Sequence, residues 1–500
     1  MTRRVRLEVR SSSATRQAVV KAQLAVLSAA EQAQVHERTL RVLAETGMRV
    51  DSEEGRRILA AAGARVELAT GVVRFPAELV EEALRLAPKR FSLGGRRPDW
   101  EFPLGVGQMT LVADGEAVNV LDEPAGRPRP ATHDDWLTVT RLLDVLDDVG
   151  VYWAMVAGVR AGGAPLTGLV DYNVELQRGF SKHIQDSWLE PAWSPWVLEV
   201  LDIVFGGDRV RREHPFSFLL TPVSPLIIEQ PCTDSWLALR GWGIPVAVLP
   251  MPIMGSTAPA SLLATTVLAN CETIGTLCLV QAAEPGTPFV YAPIALTMAP
   301  RTGRYAGTTA HAAIGVAGVE MARFYGLPVM GSAAGTDAFV PGAQAAYEKA
   351  FSALYGTLAW PDLMVGPGCL GGATVLNLAE LLIDVEIFRM CAHARGGIAS
   401  SDDRWLVDVL ERGGPGAHFL GEPSTRAAVR GGEFYLPGLG FHDSPEHWFA
   451  AGCPDVADEA AGRVTDLLAS HRSLPLDDDV ERELAKLRAR AAAADALTPA

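Results

Sequence analysis

Short apolar runs alternate with helical stretches eight times between residues 105 and 412. An eightfold repeat of strand and helix is typical of the α/β class and predicts a TIM (β/α)8 barrel, whose parallel strands are buried on both faces. The alternative, an open doubly wound sheet, is disfavoured because no GxGxxG motif follows an early strand. The predicted strands are Ala117–Leu121, Val151–Val156, Ser181–Gln185, Phe216–Thr221, Pro245–Leu249, Pro288–Tyr291, Pro328–Met330 and Leu363–Val365.

Three segments flank the predicted barrel at 105–412. Residues 1–27 form a basic arm that we expect to be flexible. Residues 28–104 form an N-terminal helical segment with a hairpin, because Ser28 and Glu31 fit a capping box and Thr70-Gly71 marks a turn. Residues 413–500 are rich in Gly, Pro and aromatic residues, and we expect this C-terminal extension to pack on the barrel.

Charge and cysteine spacing exclude several classes of protein. Lys and Arg number 44 against 59 Asp and Glu, so the net charge of −15 argues against a nucleic-acid partner. The apolar stretch 261–283 carries Asn270, Glu272 and Gln281, which predicts a buried helix and no membrane span. The six cysteines form no CxxC pair, which fits a reducing cytoplasm. No His, Asp or Glu cluster has the spacing of a metal site, so we predict no protein-bound metal.

The working residues of such a barrel follow the carboxyl ends of its strands. His183 lies near the end of the third strand, where it either faces the pocket or packs in the core. Asp337 follows the seventh strand, where it either orients a substrate or fixes the loop, or else caps the next helix or forms an Asx turn. His311, in an Ala- and Gly-rich helix, is interpreted as a packed or capped residue, with a catalytic role as the alternative. The rim is otherwise rich in Gly, Pro and Met, which allows a large flat group to approach closely or simply permits close loop packing.

Several stretches of sequence, which together span nearly the whole chain, are similar to one known protein family. They include HERTLRVLAETGMRVDSEEGRRILAAAGARV at 36–66, MPIMGSTAPASL at 251–262, GTDAFVPGAQAAYEKA at 335–350 and HFLGEPSTRAAVRGGEF at 418–434. In these stretches the chain resembles the trimethylamine methyltransferase family. The region around Ser332–Asp337 contains only ordinary residues, so the resemblance is to the branch without pyrrolysine, which acts on quaternary amines such as glycine betaine.

The resemblance implies an enzyme that moves a methyl group from an amine to the Co(I) of a corrinoid (cobalamin) carried by a small partner protein, in chemistry related to methanogenesis. A methyl group that leaves a quaternary nitrogen leaves a neutral amine, so no proton has to be delivered. The pocket must instead desolvate a fixed cation and aim one methyl group. Aromatic faces bind such cations.

On this basis we assign roles to particular residues. The predicted catalytic residues are Asp337 and His183, and the glycines expected to face the corrinoid are Gly255, Gly331, Gly335 and Gly368. The predicted substrate-binding residues are Tyr291, Trp188, Tyr152, Gln185, Met254, Ser332, Thr336, Gln344, Tyr347 and Glu348. A substrate carboxylate would bind His183 or backbone N–H groups near Ser332–Gly335.

The sequence therefore predicts a cytoplasmic, corrinoid-dependent methyltransferase for a small, betaine-like quaternary amine. A homo-oligomer is the default expectation for an enzyme of this kind. Two alternatives stay open: a non-catalytic betaine-binding homologue, and a barrel hydrolase or lyase that uses no corrinoid.

Overall fold

A closed parallel barrel forms the centre of the molecule. The computed structural model describes residues 22–122, 126–157, 165–307 and 309–497, so most of the predicted basic arm lies outside the described residues. Neighbouring strands pair in parallel, and a bridge between Tyr291 and Val329 closes the ring. The TIM barrel prediction is confirmed. Barrel strands 1 to 8 are Thr110–Val112, Val149–Tyr152, His183–Asp186, Phe216–Leu220, Val246–Val248, Phe289–Tyr291, Met330–Ser332 and Leu363–Val365.

A helix follows every barrel strand and packs on the outside of the ring. Barrel helix 5 is long and apolar enough to cross a membrane, alone among the helices that the structure describes, but most of it is buried inside the protein. It is therefore a core helix, as the sequence predicted. Barrel helices 1 to 8 are His133–Val145, Leu166–Gly179, Ser194–Phe205, Gln230–Leu237, Leu262–Ala283, Thr309–Phe324, Ala343–Ala359 and Leu378–Arg395.

Barrel strand 1 differs from the prediction. The predicted run Ala117–Leu121 is not in the barrel, because Asn119–Asp122 pairs with Arg127–Pro130 in a separate sheet above the ring. The shorter run Thr110–Val112 takes the barrel position between strands 8 and 2. Its three residues are all buried, and so short a run gives a weak sequence signal.

The N-terminal segment covers barrel helix 5 and closes the lower end of the barrel. The capping box at Ser28 and the hairpin at Thr70-Gly71 are both confirmed. Leu93 and Leu104 of a second hairpin join the apolar interior of the barrel. The segment's helices are Ala29–Glu45, Glu53–Ala61 and Ala77–Leu86, and its strands are Met48–Val50, Arg65–Glu67, Val72–Arg74, Phe91–Gly94 and Glu101–Leu104; Ile227–Ile228 pairs with the first of these strands.

Two small sheets raise the rim at the carboxyl end of the barrel. One contains Asn119–Asp122, Arg127–Pro130, Cys369–Leu370 and Val375–Leu376, and the other contains Ile253–Met254, Leu296–Met298 and Tyr305–Ala306. Short helices at Gly207–Glu213, Pro191–Trp193 and Asp402–Arg404 complete the connections. The rim sheets turn the shallow end of the barrel into a deep mouth.

The C-terminal region contains two long helices that pack on the barrel and three short, exposed ones. Helix Val456–Ser470 packs on barrel helices 8 and 1, and helix Asp478–Asp495 packs on barrel helices 2 and 3. Three short helices precede them, at Val407–Gly413, Pro423–Arg430 and Pro445–Ala450, and they are largely exposed. Between the second and third of these helices, Tyr435 donates to Glu386 of barrel helix 8 and Leu439 joins the main apolar core.

Candidate active site

A cavity of about 650 Å³ opens at the carboxyl ends of the barrel strands. Every strand contributes to its lining, as expected for the working end of this fold. The residues contributed at the strand ends, in order from strand 1 to strand 8, are Asp114, Trp153, Gln185, Leu219, Leu249, Ile294, Ser332 and Val365.

The lining is acidic. It includes the carboxylates of Asp114, Glu116, Asp186 and Glu190, and among the described residues it includes no lysine or arginine. His311 also lines the cavity, but burial lowers its pKa, which favours the neutral ring at pH 7. The lining therefore favours a cationic ligand.

Aromatic rings form one side of the cavity. Trp153, Trp188 and Trp193 come from the ends of strands 2 and 3, and Tyr305 comes from the rim. The Trp188 indole N–H donates to Ser194 Oγ at 2.9 Å, and its ring packs edge-on against Phe218 at a centroid distance of 5.0 Å. Rigid indole faces of this kind attract ammonium groups by about 0.5–2 kcal/mol each.

A chain of hydrogen bonds holds Trp153 from inside the barrel. Its indole N–H donates to Gln185 Oε1 at 2.6 Å, and Gln185 Nε2 donates to Ser217 Oγ at 2.9 Å. Ser217 Oγ lies 2.7 Å from His183 Nε2, and His183 Nδ1 lies 3.2 Å from the Gly94 carbonyl oxygen. Because the carbonyl can only accept, we assign the proton to Nδ1, and Nε2 then accepts from the serine hydroxyl.

The opposite side of the cavity is made of small residues that follow strands 7 and 8. They include Ala333, Gly335, Gly366, Gly372 and Ala373. Gly366 has φ of +145°, and a Cβ placed there would lie 1.7 Å from the Ala333 carbonyl oxygen. Only glycine fits at this position, so the backbone itself forms the wall here.

Asp114 is the carboxylate at the end of strand 1. Its Oδ1 accepts the N–H of Gly115 at 2.8 Å. Burial raises the pKa of Asp114 to about 6, while the Gly115 N–H and the positive charge of Lys349 act in the opposite direction. The side chain is therefore mostly an anion at pH 7 and above.

A buried charge cluster lies behind Asp114. The Lys349 ammonium is 2.5 Å from Asp384 Oδ2 and 3.5 Å from Glu380 Oε1, and all three side chains are at most 1% exposed. Burial raises the pKa of both carboxyl groups. Asp384 Oδ2 also accepts the N–H of Gly368 at 2.7 Å, so the cluster fixes the loop after strand 8.

Glu348 fixes the loop after strand 7 in the same way. Its Oε2 accepts the Thr336 hydroxyl at 2.6 Å and the Asp337 N–H at 2.9 Å. Gln344 Nε2 donates to Glu348 Oε1 at 3.0 Å, and Tyr347 OH is 3.5 Å from the same oxygen. This polar group supports Thr336, which lines the cavity, from behind.

A family model described as trimethylamine methyltransferase matches residues 1–494. The chain belongs to the trimethylamine methyltransferase family. It is 30% identical to trimethylamine methyltransferase MttB of Desulfitobacterium hafniense (strain DSM 10664 / DCB-2), over 92% of each chain. It is 26% identical to a glycine betaine methyltransferase of Desulfitobacterium hafniense (strain Y51), over 92% of this chain and 95% of the relative. Among solved structures, the monomethylamine methyltransferase of Methanosarcina barkeri covers 87% of this chain and 92% of its own with a TM-score of 0.48 at 13% identity.

In this member of the trimethylamine methyltransferase family, some residues assigned from sequence line the cavity and others do not. Those that line it are Gln185, Trp188, Ser332, Thr336 and Gly335. Those that lie outside its lining are Tyr152, His183, Met254, Gly255, Tyr291, Gly331, Asp337, Gln344, Tyr347, Glu348 and Gly368.

The expectation that Tyr152 and Tyr291 face the pocket is wrong. The Tyr291 hydroxyl donates to Asn270 of barrel helix 5 at 2.7 Å, and the Tyr152 hydroxyl accepts from the Trp136 indole of barrel helix 1 at 2.7 Å. Successive residues of a strand point to opposite faces. Their neighbours Val151 and Val290 fill the barrel interior, so both tyrosines face the helices.

The expectation that His183 faces the cavity is also wrong. It is fully buried below the floor, and burial lowers its pKa to about 3. A neutral ring in two hydrogen bonds cannot exchange protons with a substrate near pH 7. His183 thus lies at the buried end of the series of hydrogen bonds that positions Trp153.

The remaining residues outside the cavity support loops. Asp337 Oδ1 accepts the N–H of Gly307 at 3.2 Å, which is the loop-fixing alternative that the sequence left open. At Gly331, a Cβ would lie 3.1 Å from Pro361, so this glycine permits close packing outside the cavity. Met251 lines the cavity, and Met254 does not.

Sequence reasoning missed most of the acidic and aromatic lining. Asp114 and Glu116 follow the observed strand 1. Because strand 1 was predicted at Ala117–Leu121, these two residues did not fall at a predicted strand end. Trp153 directly follows strand 2 and could have been found from the correct strand end. Tyr305 reaches the cavity from a rim sheet that no pattern in the sequence indicates.

Proposed function

We propose that this protein transfers a methyl group from a small N-methylated ammonium ion to the cobalt of a corrinoid held by a partner protein. The single observation that carries the proposal is the cavity lining, in which four carboxylates and three tryptophans meet with no described lysine or arginine. Family membership supports the methyl transfer. Six free cysteines support a reducing, cytoplasmic location.

The small-residue wall fits a corrinoid acceptor. Ala333, Gly335, Gly366, Gly372 and Ala373 leave one side of the mouth without bulky side chains. Such a wall would accept a wide, flat group presented by another protein. The corrinoid would supply a cobalt nucleophile, and among the described residues no group of three or more His, Cys, Asp or Glu is placed to hold a metal ion.

The chain's own residues bind, orient and desolvate the amine. The tryptophans and Asp114 hold the cation, and apolar residues such as Leu249 and Met251 exclude water. The C–N bond breaks with its electron pair on nitrogen, so the departing amine is neutral and needs no proton. This explains how a site whose His183 is buried and neutral can serve the reaction.

The charge of the cavity ranks the candidate substrates. A betaine brings a carboxylate into a cavity that already contains four acidic residues. The Ser332 hydroxyl lines the small-residue wall and could donate to that carboxylate, whereas the Thr336 hydroxyl already donates to Glu348. We therefore expect ammonium ions without a carboxylate, such as tetramethylammonium, to be better substrates than glycine betaine.

Methyl transfer can be tested with the purified chain and chemically reduced cobalamin under anaerobic conditions. The panel contains trimethylamine, tetramethylammonium, glycine betaine, carnitine and proline betaine, and the spectrum of methylated cobalamin is the readout. At least one ammonium ion should methylate the cobalamin. A panel that binds to the protein by calorimetry yet never methylates either free cobalamin or a corrinoid protein would favour the non-catalytic alternative.

Replacing Gln185 with leucine should weaken substrate binding by releasing Trp153. The indole loses its acceptor, and a mobile ring attracts the cation less, so KM should rise about 5-fold with little change in kcat. Gln281→Leu is a matched control, because Gln281 is an equally buried glutamine that bonds Thr287 far from the cavity. Equal KM values for the two variants would contradict the positioning role.

A further inference from the structure

His311 lines the cavity, and the methyl transfer proposed above gives it no task. Its side chain is 3% exposed and belongs to the third residue of barrel helix 6. The Nδ1 atom lies 3.1 Å from the carbonyl oxygen of Ala295, which follows strand 6. The other ring nitrogen, Nε2, has no hydrogen-bond partner among the described residues. A buried polar atom that faces a cavity without a partner indicates a ligand group that pairs with it.

The surroundings of His311 place a lone pair on Nε2. A carbonyl oxygen can only accept a hydrogen bond, so we assign the ring proton to Nδ1 beside Ala295. The positive end of the barrel helix 6 dipole disfavours a charged imidazolium in the first turn of that helix. Burial lowers the pKa of His311 as well. The residue therefore presents one neutral hydrogen-bond acceptor to the cavity at pH 7.

This acceptor lies across the barrel from the aromatic side of the cavity. The bond to Ala295 fixes the His311 ring to the loop after strand 6, whereas Trp153 directly follows strand 2. In a closed ring of eight strands, the second and sixth strands are diametrically opposite. Strands about 4.8 Å apart give such a ring a diameter of roughly 15 Å between backbones. An ammonium group held at Trp153 therefore reaches Nε2 only through a substituent on its nitrogen.

The substituent that fits Nε2 of His311 is a neutral donor, and a hydroxyl group is the simplest one. A carboxylate has no proton to donate at pH 7. A second ammonium group has N–H donors, but the positive end of barrel helix 6 disfavours a cation there. An alkyl group would cover the lone pair and leave it unpaired, which lowers affinity. Ser332, at the end of strand 7, adds a second hydroxyl group to the cavity lining.

We infer that the ammonium ion taken by this cavity carries a hydroxyl group on a short chain, and that Nε2 of His311 accepts the hydrogen bond from this hydroxyl. The inference rests on the proposed function, because it names the substrate class of the same site. Trimethylammonium ions with a hydroxyalkyl chain, such as choline, form this class. Asp114 and the tryptophans hold the ammonium end, and His311 holds the hydroxyl end. Two fixed ends orient the nitrogen, so that the same methyl position is presented in each turnover.

Calorimetric titration of the purified full chain measures the preference for a hydroxyl group. Choline should bind with a Kd about 10-fold lower than that of propyltrimethylammonium, in which a methyl group replaces the hydroxyl. It should also bind more tightly than (2-methoxyethyl)trimethylammonium, whose oxygen cannot donate. The direction is informative because both analogues are more apolar than choline, so burial alone would favour them. The (2-aminoethyl)trimethylammonium dication should bind no more tightly than choline.

Variants of His311 link the preference to Nε2. His311→Phe should weaken the binding of choline about 10-fold and should change the Kd of propyltrimethylammonium little, because only choline loses a hydrogen bond. His311→Gln keeps a side chain that can accept, so it should recover part of the preference. His36→Phe is a matched control, because His36 lies outside the cavity lining with its Nδ1 3.2 Å from the Tyr325 hydroxyl. This control should keep the full preference for choline.

The binding assay contains no cobalamin, so its result is independent of methyl transfer. Equal affinities for choline and propyltrimethylammonium in the wild type, a preference that survives in His311→Phe, or tighter binding of the dication would overturn the inference. Choline that binds through His311 but never methylates reduced cobalamin or a corrinoid protein would refute the proposed function and leave this ligand class standing. Methyl transfer from tetramethylammonium by a chain that shows no preference for choline would do the reverse.

Discussion

Replacing Asp114 with asparagine is expected to raise the KM for the ammonium substrate about 100-fold and to leave kcat nearly unchanged. In the proposed reaction, the carboxylate faces a cation whose charge decreases as the methyl group departs. It therefore stabilises the bound substrate more than the transition state, and its loss appears in KM. Steady-state kinetics with tetramethylammonium and reduced cobalamin measure both constants. A fall in kcat at constant KM would contradict this role.

The pH dependence provides a second test of Asp114. Burial raises its pKa to about 6, so the side chain gains a proton and loses its charge as the pH falls through that value. In the wild type, KM should rise below about pH 6 and level off above about pH 7. Asp114→Asn should show no such step. Glu190→Gln, at another lining carboxylate whose side chain is half-buried, should raise KM only several-fold and keep the step.

Replacing Lys349 with methionine is expected to lower the free energy of unfolding by about 3–5 kcal/mol, because it leaves two buried carboxyl groups without a cation. The Lys349 ammonium contacts Asp384 at 2.5 Å and Glu380 at 3.5 Å, and the three side chains are enclosed by barrel helices 7 and 8. Urea unfolding followed by circular dichroism gives the change. A loss below about 1 kcal/mol would show that the cluster contributes little.

The loss at Lys349 should grow with pH. Burial raises the pKa of both carboxyl groups, so their protonated forms stabilise the fold at low pH and this contribution disappears as the pH rises through the folded pKa. Without the lysine charge, ionisation of the two carboxyl groups is still more unfavourable. The loss in the free energy of unfolding should therefore be larger at pH 8 than at pH 5. The double variant Lys349→Met/Asp384→Leu should recover part of the stability, because it removes one unpaired carboxylate.

Local rules made the elements predictable from the sequence. The capping box at Ser28 and the turn at Thr70-Gly71 depend on neighbouring residues alone, and both are present. The barrel was predictable because its rhythm repeats eight times, so one misplaced strand did not change the result. The failure at strand 1 has a local cause, since the three residues of Thr110–Val112 carry less signal than the longer predicted run Ala117–Leu121.

The candidate site was harder to predict, because each side chain depends on the phase of its strand. If the phase of a strand is wrong by one residue, a side chain predicted to face the cavity faces the surrounding helices instead. This is the error at Tyr291, whose neighbour Val290 faces inward. Distance along the chain adds a second difficulty. The link from Trp153 through Gln185 and Ser217 to His183 joins three strands, and no spacing in the sequence reveals it.

Because the backbone approaches so closely at Gly366, the two sides of the cavity differ in how easily their residues can be replaced during evolution. At Gly366, on the side of strands 7 and 8, an added Cβ collides with the Ala333 carbonyl oxygen, so this position can change only if the backbone moves, whereas a Cβ at Gly335 or Gly372 meets the Tyr305 side chain at 3.0 Å. On the side of strands 2 and 3, the surface consists of replaceable side chains such as Trp153 and Trp188. Descendants of this chain could therefore adapt to new ligands through the side chains of one half, while Gly366 keeps the backbone wall of the other half in place.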